Sequence, residues 1–238
     1  MMDIKNSIIL VTGATSGIGK SLTGKLLNSG ASVAFCGRSQ EKMTEFVSCI
    51  KHINKEKYYY ETFDVSDENS IICFVNNAVR SLGKFDILVN CAGVNSARSA
   101  VSEMKTSDLE YMLRINLISP FVFLREVYNS SIEHNTGLFI NVLSTVCLFS
   151  NEGIGAYTAS KAGFDALVKV FRKEVRSRKV RVCSVYPGGV NSSFRKEARP
   201  EYLSPDTVAD AIISVMLSDE NTALDELVIR PVIETNFC

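Results

Sequence analysis

Tyr157 and Lys161 stand four residues apart, with Ser144 thirteen residues before the tyrosine. On a helix that spacing puts a phenol and an ammonium on one face. A free phenol titrates near pH 10 and serves poorly as a proton donor or acceptor at neutral pH, but a neighbouring cation favours the phenolate and lowers that value. A Tyr-x-x-x-Lys pair alone is more often an amphipathic surface turn. A second pattern stands near the start, where the apolar run Ser7-Ile8-Ile9-Leu10-Val11 leads into Thr12-Gly13-Ala14-Thr15-Ser16-Gly17-Ile18-Gly19. Gly13 suits a tight exit from a strand, Gly17 a close backbone approach to a pyrophosphate, and Gly19 close packing of a helix on the sheet. The helix N-terminus, with Thr15, Ser16 and Ile18 around it, then offers N–H groups and a positive dipole end to phosphates. The spacing is GxxxGxG, and a purely structural turn is the alternative.

The elements that must position these residues follow from hydrophobic period. Short apolar runs at 7–12, 32–36, 57–63, 85–89, 137–143, 180–186 and 225–230 read as strands, and segments of helical period at 17–29, 40–53, 67–82, 107–131, 155–177 and 205–218 as helices. This alternation predicts a single doubly wound α/β domain over residues 1–238, with a seven-stranded, mostly parallel sheet and helices on both faces. Gly30 ends the first helix, Ser66 or Asp67 caps the third, and Ser204 before Pro205 starts the last. Ligands of such sheets sit at the carboxyl ends of the strands, near the switch in strand order. Gly13 to Gly19, Arg38, Asp64, Asn90, Ser144 and Pro187-Gly188 all fall at that rim.

Composition narrows the classes further. The 238 residues are 46% hydrophobic and 22% charged, with a formal net charge of zero, so there is material for a core and no basic excess for nucleic acid or a membrane surface. The basic stretch Arg172 to Arg181 reads as a solvated helix end. Seven scattered cysteines without a CxxC pair fit reduced thiols in a cytoplasm. There is no signal-peptide pattern at the start and no run near the roughly 20 apolar residues of a membrane span. His52 and His134 fall on helices away from the rim without metal-ligand spacing, so no metal is expected.

The chain resembles the short-chain dehydrogenase/reductase family in TGATSGIG, NCAG at 90–93, Ser144, Tyr157-x-x-x-Lys161 and PGGV at 187–190. The likeness runs from about residue 5 to 231. It departs at Cys91, where the family usually shows a second Asn, and at Leu143, where it often shows a second Ser. The resemblance implies a Rossmann-type fold and hydride transfer with a nicotinamide cofactor. Tyr157 would protonate the carbonyl oxygen in reduction or take the proton in oxidation, Lys161 would support it and hold the nicotinamide ribose, and Ser144 would hydrogen-bond the substrate oxygen. Asn116 matches the position that holds a water of the proton relay. Asn90, Ala92 and Gly93 match cofactor-side positions, and Asp64-Val65 resembles the pair that contacts adenine, although Asp64 could instead cap the next helix. Pro187, Gly188, Val190 and Ser192 resemble the loop that receives the nicotinamide carboxamide.

Gly37 stands where the family places its NAD-selecting Asp, and Arg38 follows it. An arginine there pairs with a 2′-phosphate, so NADP(H) is favoured over NAD(H), and Gly37→Asp is expected to help reverse the preference. The resulting expectation is an NADP(H)-dependent carbonyl reductase acting on a small molecule. An NAD(P)-linked alcohol dehydrogenase running the other way and a catalytically idle nucleotide-sensing regulator are the alternatives. The substrate would be lined by loops 93–100, 145–156 and 190–203, where Arg98, Arg195 and Arg199 could meet an anion. Tyr111, Met112, Ile115, Ile118, Phe121, Val122, Leu124 and Val127 give the 107–131 helix more apolar surface than one sheet face needs, and the family commonly pairs this helix across a two-fold axis, so a homodimer or homotetramer is expected.

Overall fold

The structure is a computed structural model that describes residues 3–131, 137–194 and 197–235. His134, Arg195 and Cys238 lie outside the described residues. Seven strands form one sheet: β1 (Ile8–Thr12), β2 (Ser32–Gly37), β3 (Tyr58–Thr62), β4 (Ile87–Asn90), β5 (Gly137–Val142), β6 (Val180–Pro187) and β7 (Glu226–Ile229), in the order β3-β2-β1-β4-β5-β6-β7. Every pairing is parallel. β4, β5 and β6 are almost wholly buried, as strands covered on both faces must be.

The helices are α1 (Gly17–Asn28), α2 (Gln40–Cys49), α3 (Glu68–Leu82), α4 (Thr106–Leu113), α5 (Ser119–Ser131), α6 (Gly155–Val175) and α7 (Pro205–Met216). Two apolar clusters separate at the sheet. One joins α1, α2 and α7 through Leu22, Leu26, Met43, Phe46 and Ile212, and the other joins α3, α5 and α6 through Phe74, Phe123, Phe164 and Val168. Helix ends follow local chemistry. Gly30 takes φ +87° behind α1, Asp67 caps α3 by accepting the Asn69 N–H, and Ser204 caps α7 by accepting the Thr207 N–H.

Three expectations are corrected. The continuous helix over 107–131 is interrupted by a π turn at Arg114–Ile118. Pro120 has no N–H to return to Asn116, and the Ser119 N–H instead reaches the Arg114 carbonyl five residues back, with its hydroxyl on the same oxygen at 2.8 Å. Helix α2 stops at Cys49, so His52 sits in the following turn, its Nε2 hydrogen-bonded to Asn28 Oδ1 at 3.0 Å. Arg172 is not solvated: its guanidinium turns inward to the Val182 carbonyl, Ser184 Oγ and the Asp225 carbonyl, stitching α6 to β6 and to the approach of β7.

Of the eight apolar residues singled out on 107–131, Met112, Ile115, Val122, Leu124 and Val127 are buried in this chain's own core. That leaves Tyr111, Ile118 and Phe121 partly exposed. Among the described residues no helix is long and apolar enough to cross a membrane, and no group of three or more His, Cys, Asp or Glu is placed to hold a metal ion.

Candidate active site

The strand order reverses between β1 and β4, and their exits nearly touch. A Cβ on Gly13, whose φ is +71°, would lie 2.8 Å from Ala92 Cα. Only glycine permits both that approach and that backbone. Thr12, which the motif reading passed over, fastens the same crossing: its Oγ1 accepts the Cys91 N–H at 2.9 Å and the Ala92 N–H at 3.0 Å. Gly19 faces the backbone of Gly13 across the turn, and Gly17 (φ +53°) would point a Cβ at Ser192 Cβ, 3.5 Å away. The glycine turn and the loop after β6 therefore meet over the start of α1. Ser16 is the N-cap of α1, yet its side chain makes no capping bond. The Ser16 hydroxyl is thus not spent on the helix end, where N–H groups and the positive dipole end favour an anion such as a pyrophosphate, while the Gly19 N–H already bonds the Cys91 thiol.

Behind this cradle, Asn90 turns inward. Its Nδ2 donates to the Pro120 carbonyl at 3.1 Å and to Asn141 Oδ1 at 3.0 Å, so the amide joins β4, β5 and the start of α5. Cys91 packs on the core, and burial pushes its thiol up to about 12. Asp64 is exposed and accepts the Ser66 N–H at 2.9 Å; the cap of α3 belongs to Asp67. Val65 is tied through its carbonyl to Ser119 Oγ. Arg38 is exposed at the end of β2, where Nη1 donates to the Tyr111 hydroxyl at 3.2 Å. It makes no ion pair among the described residues.

Tyr157, Lys161, Ser144 and Asn116 gather at the carboxyl end of β5. Lys161 is 5% exposed, and its ammonium donates to the Val142 carbonyl at 2.9 Å, two residues before Ser144. Burial holds it below the ordinary lysine pKa, because the charged form loses hydration. A Cβ on Gly93 would lie 3.2 Å from Lys161 Nζ and 3.2 Å from Asn116 Oδ1, so glycine there leaves room for the ammonium. Asn116 lies in the π turn and is fully buried; its amide accepts the Val94 N–H and donates to the Val94 carbonyl, both at 2.8 Å, and also donates to Ser160 Oγ at 2.9 Å. The π turn thus aims one side chain at both the β4 loop and α6. Ser144 is half-buried, with Oγ accepting the Val146 N–H at 3.3 Å. Tyr157 is buried among Met112, Val146 and Ile154, and the exposed Phe194 ring stands 6.1 Å from its ring.

One turn beyond Lys161, Asp165 accepts the Tyr186 hydroxyl at 2.8 Å and the Lys169 ammonium at 2.8 Å. The catalytic helix is thereby bonded to the strand that leads into Pro187. After that proline, Gly188 donates to the Ile229 carbonyl at 2.8 Å, and Val190 bridges to Leu203. Arg199 is already paired with Glu197 and Glu201 at 3.6 and 3.7 Å, and Arg98 is exposed. Ser160 and Phe194 were also missed. Ser160 carries a signal, lying on the Tyr157 face three residues on, whereas Phe194 depends on how the loop folds.

A family model described as short chain dehydrogenase matches residues 7–203. The chain belongs to the short-chain dehydrogenase/reductase family. This member is 31% identical over 234 residues to the 3-oxoacyl-[acyl-carrier-protein] reductase FabG of Thermotoga maritima, covering 93% of this chain and 94% of that one. Among solved structures it is similar to serine dehydrogenase from Escherichia coli, with a TM-score of 0.85 and 27% identity over 96% of this chain and 99% of that one. The closed form of serine dehydrogenase complexed with NADP+ gives a TM-score of 0.86 at 25% identity, over 96% of both chains. The protein is therefore a short-chain oxidoreductase whose fold binds a nicotinamide cofactor, and the idle-regulator alternative falls away.

Proposed function

We propose that this short-chain dehydrogenase/reductase is an NADP(H)-dependent reductase of small-molecule carbonyls. The observation that carries the reading is the buried Lys161 ammonium, tied to the Val142 carbonyl beside Ser144 and one helical turn from Tyr157. A buried cation whose one hydrogen bond among the described residues goes to the Val142 carbonyl keeps donors available for a ribose hydroxyl and biases the nearby phenol toward proton exchange. Bound NADPH would supply the hydride. Ser144 Oγ would donate to the carbonyl oxygen as negative charge develops there, and Tyr157 Oη would deliver its proton to that oxygen. Asn116 would hold the geometry of this exchange from the π turn, bonded to Val94 and Ser160.

For the cofactor, Gly13, Thr15, Ser16, Gly17, Ile18 and Gly19 would take the pyrophosphate, and Asp64 and Val65 would flank the adenine. Gly93 and Lys161 would meet the nicotinamide ribose, and Pro187, Gly188, Val190 and Ser192 the carboxamide. Asn90 and Ala92 would shape the cleft between them. The preference for NADP(H) rests on Arg38, exposed and without an ion pair among the described residues, beside a glycine in place of an acidic residue. The NADP+ bound by the similar serine dehydrogenase supports it. The test is NADPH oxidation followed by absorbance across ketones, aldehydes, hydroxy acids and acyl thioesters. Turnover of no carbonyl class, with the cofactor bound, would reject reduction as the activity.

A further inference from the structure

The segment after β7 folds back over the loop that follows Pro187. Glu234 Oε1 accepts the Gly189 N–H at 2.7 Å, and Oε2 lies 3.5 Å from Arg230 Nε. Both side chains are withdrawn from solvent, at 14% and 16% exposed for Glu234 and Arg230. Arg230 Nη2 donates back to the Glu234 carbonyl at 2.9 Å, and its guanidinium stands 5.9 Å from the Phe149 ring, in the loop that begins at Ser144. A carboxylate taken out of water in this way is stable only where donors replace its hydration.

The two glycines are shaped to receive it. A Cβ on Gly188 would lie 3.1 Å from Glu234 Cδ and from Pro231 Cδ, while one on Gly189 would lie 2.9 Å from Glu234 Oε1 and press on the Tyr202 ring. Neither glycine has a positive φ, so backbone conformation does not explain them. Room for Glu234 and Tyr202 does. The loop is held by the Gly188 N–H on the Ile229 carbonyl, by the Gly189 carbonyl on the Leu203 N–H at 3.1 Å and the Asn191 N–H on the Leu203 carbonyl at 2.8 Å, and, from the segment after β7, by Glu234 on the Gly189 N–H.

We infer that Glu234 is a positioning residue that, by accepting the Gly189 N–H, latches residues 188–190 in the conformation that receives the nicotinamide. This rests on the reading of that loop given under the proposed function. The experiment compares wild type, Glu234→Ala and Glu234→Gln in two measurements. In the first, amide hydrogen exchange of the cofactor-free protein over residues 188–194 should quicken in Glu234→Ala and return toward wild type in Glu234→Gln, whose amide oxygen still accepts.

In the second, Glu234→Ala should raise the Kd for NADPH about tenfold, equivalent to ~1.4 kcal/mol. The Kd for 2′-phospho-ADP-ribose, which lacks the nicotinamide, should stay as in wild type. Unchanged exchange and NADPH affinity, equal weakening of both ligands, or a Glu234→Gln variant as poor as Glu234→Ala would each overturn the latch. If wild type binds NADPH no more tightly than 2′-phospho-ADP-ribose, it is the nicotinamide role of the loop that fails, and the exchange measurement judges the latch alone.

Discussion

Replacing Arg38 by alanine should weaken NADPH and leave NADH nearly untouched. The guanidinium is exposed, donates to the Tyr111 hydroxyl at 3.2 Å and has no carboxylate partner among the described residues, so its charge is free to meet a 2′-phosphate. A charge-assisted contact of this kind is worth about 1.5–3 kcal/mol, and solvent screening at an exposed site puts it in the lower half of that range. About 1.5–2 kcal/mol corresponds to a roughly 10- to 30-fold rise in Kd. Tyr111→Phe removes only the tether and should cost NADPH ~2- to 5-fold, because a hydrogen bond from an exposed guanidinium is largely offset by water. Fluorescence titration of both variants with both cofactors, at low and high salt, measures this, and the NADPH advantage should shrink as salt rises. Equal losses for NADPH and NADH would refute the reasoning, because Arg38 would then support the loop and not read the phosphate. The structure also revises the companion change. A Cβ at Gly37 would lie 2.7 Å from Thr15 Oγ1 and closer still to Thr15 Cγ2. Gly37→Asp alone should therefore weaken both cofactors, and reversal of preference should need Thr15→Ala and Arg38→Ala together with it.

Other outcomes are equally open to measurement. Tyr157→Phe should lower kcat by 10²- to 10⁴-fold with cofactor affinity nearly intact, since only the proton-carrying hydroxyl is lost; an unchanged kcat on an established substrate would remove Tyr157 from the mechanism. Lys161→Met should abolish turnover yet raise Tm, because it deletes a buried ammonium whose burial is unfavourable. The folded pKa is depressed, so the penalty is fully present below that pKa and vanishes above the unfolded value near 10.4. The gain in Tm, at ~2–4 °C per kcal/mol, should accordingly fade as pH rises through that window, and a variant less stable than wild type at pH 7 would contradict this. Light scattering at micromolar concentration should show a dimer or tetramer; a monomer would reject association, for which only Tyr111, Ile118 and Phe121 of the original apolar argument are left partly exposed.

Much of the fold was legible because its signals are local. Strand and helix periods, the left-handed Gly30, the Ser204-Pro205 start and the four-residue spacing of Tyr157 and Lys161 each act within a turn or two of chain. Once alternating strands and helices imply right-handed crossovers, strand-end residues must share one rim, and the structure places Gly13, Arg38, Asp64, Ser144 and Pro187 there. The inward turn of Arg172, the grip of Thr12 on residues 91–92, the Thr15 methyl that denies Gly37 a side chain and the seat of Glu234 on Gly189 were decided only in three dimensions. These partners lie ten to eighty residues apart along the chain. Hydrophobic period states which face of an element is buried and is silent about which polar atom across the core will satisfy it. The π turn shows the boundary between the two: Pro120 announces a missing N–H in the sequence, but that the widened turn would aim Asn116 at Val94 and Ser160 depends on what α6 and the β4 loop bring to it.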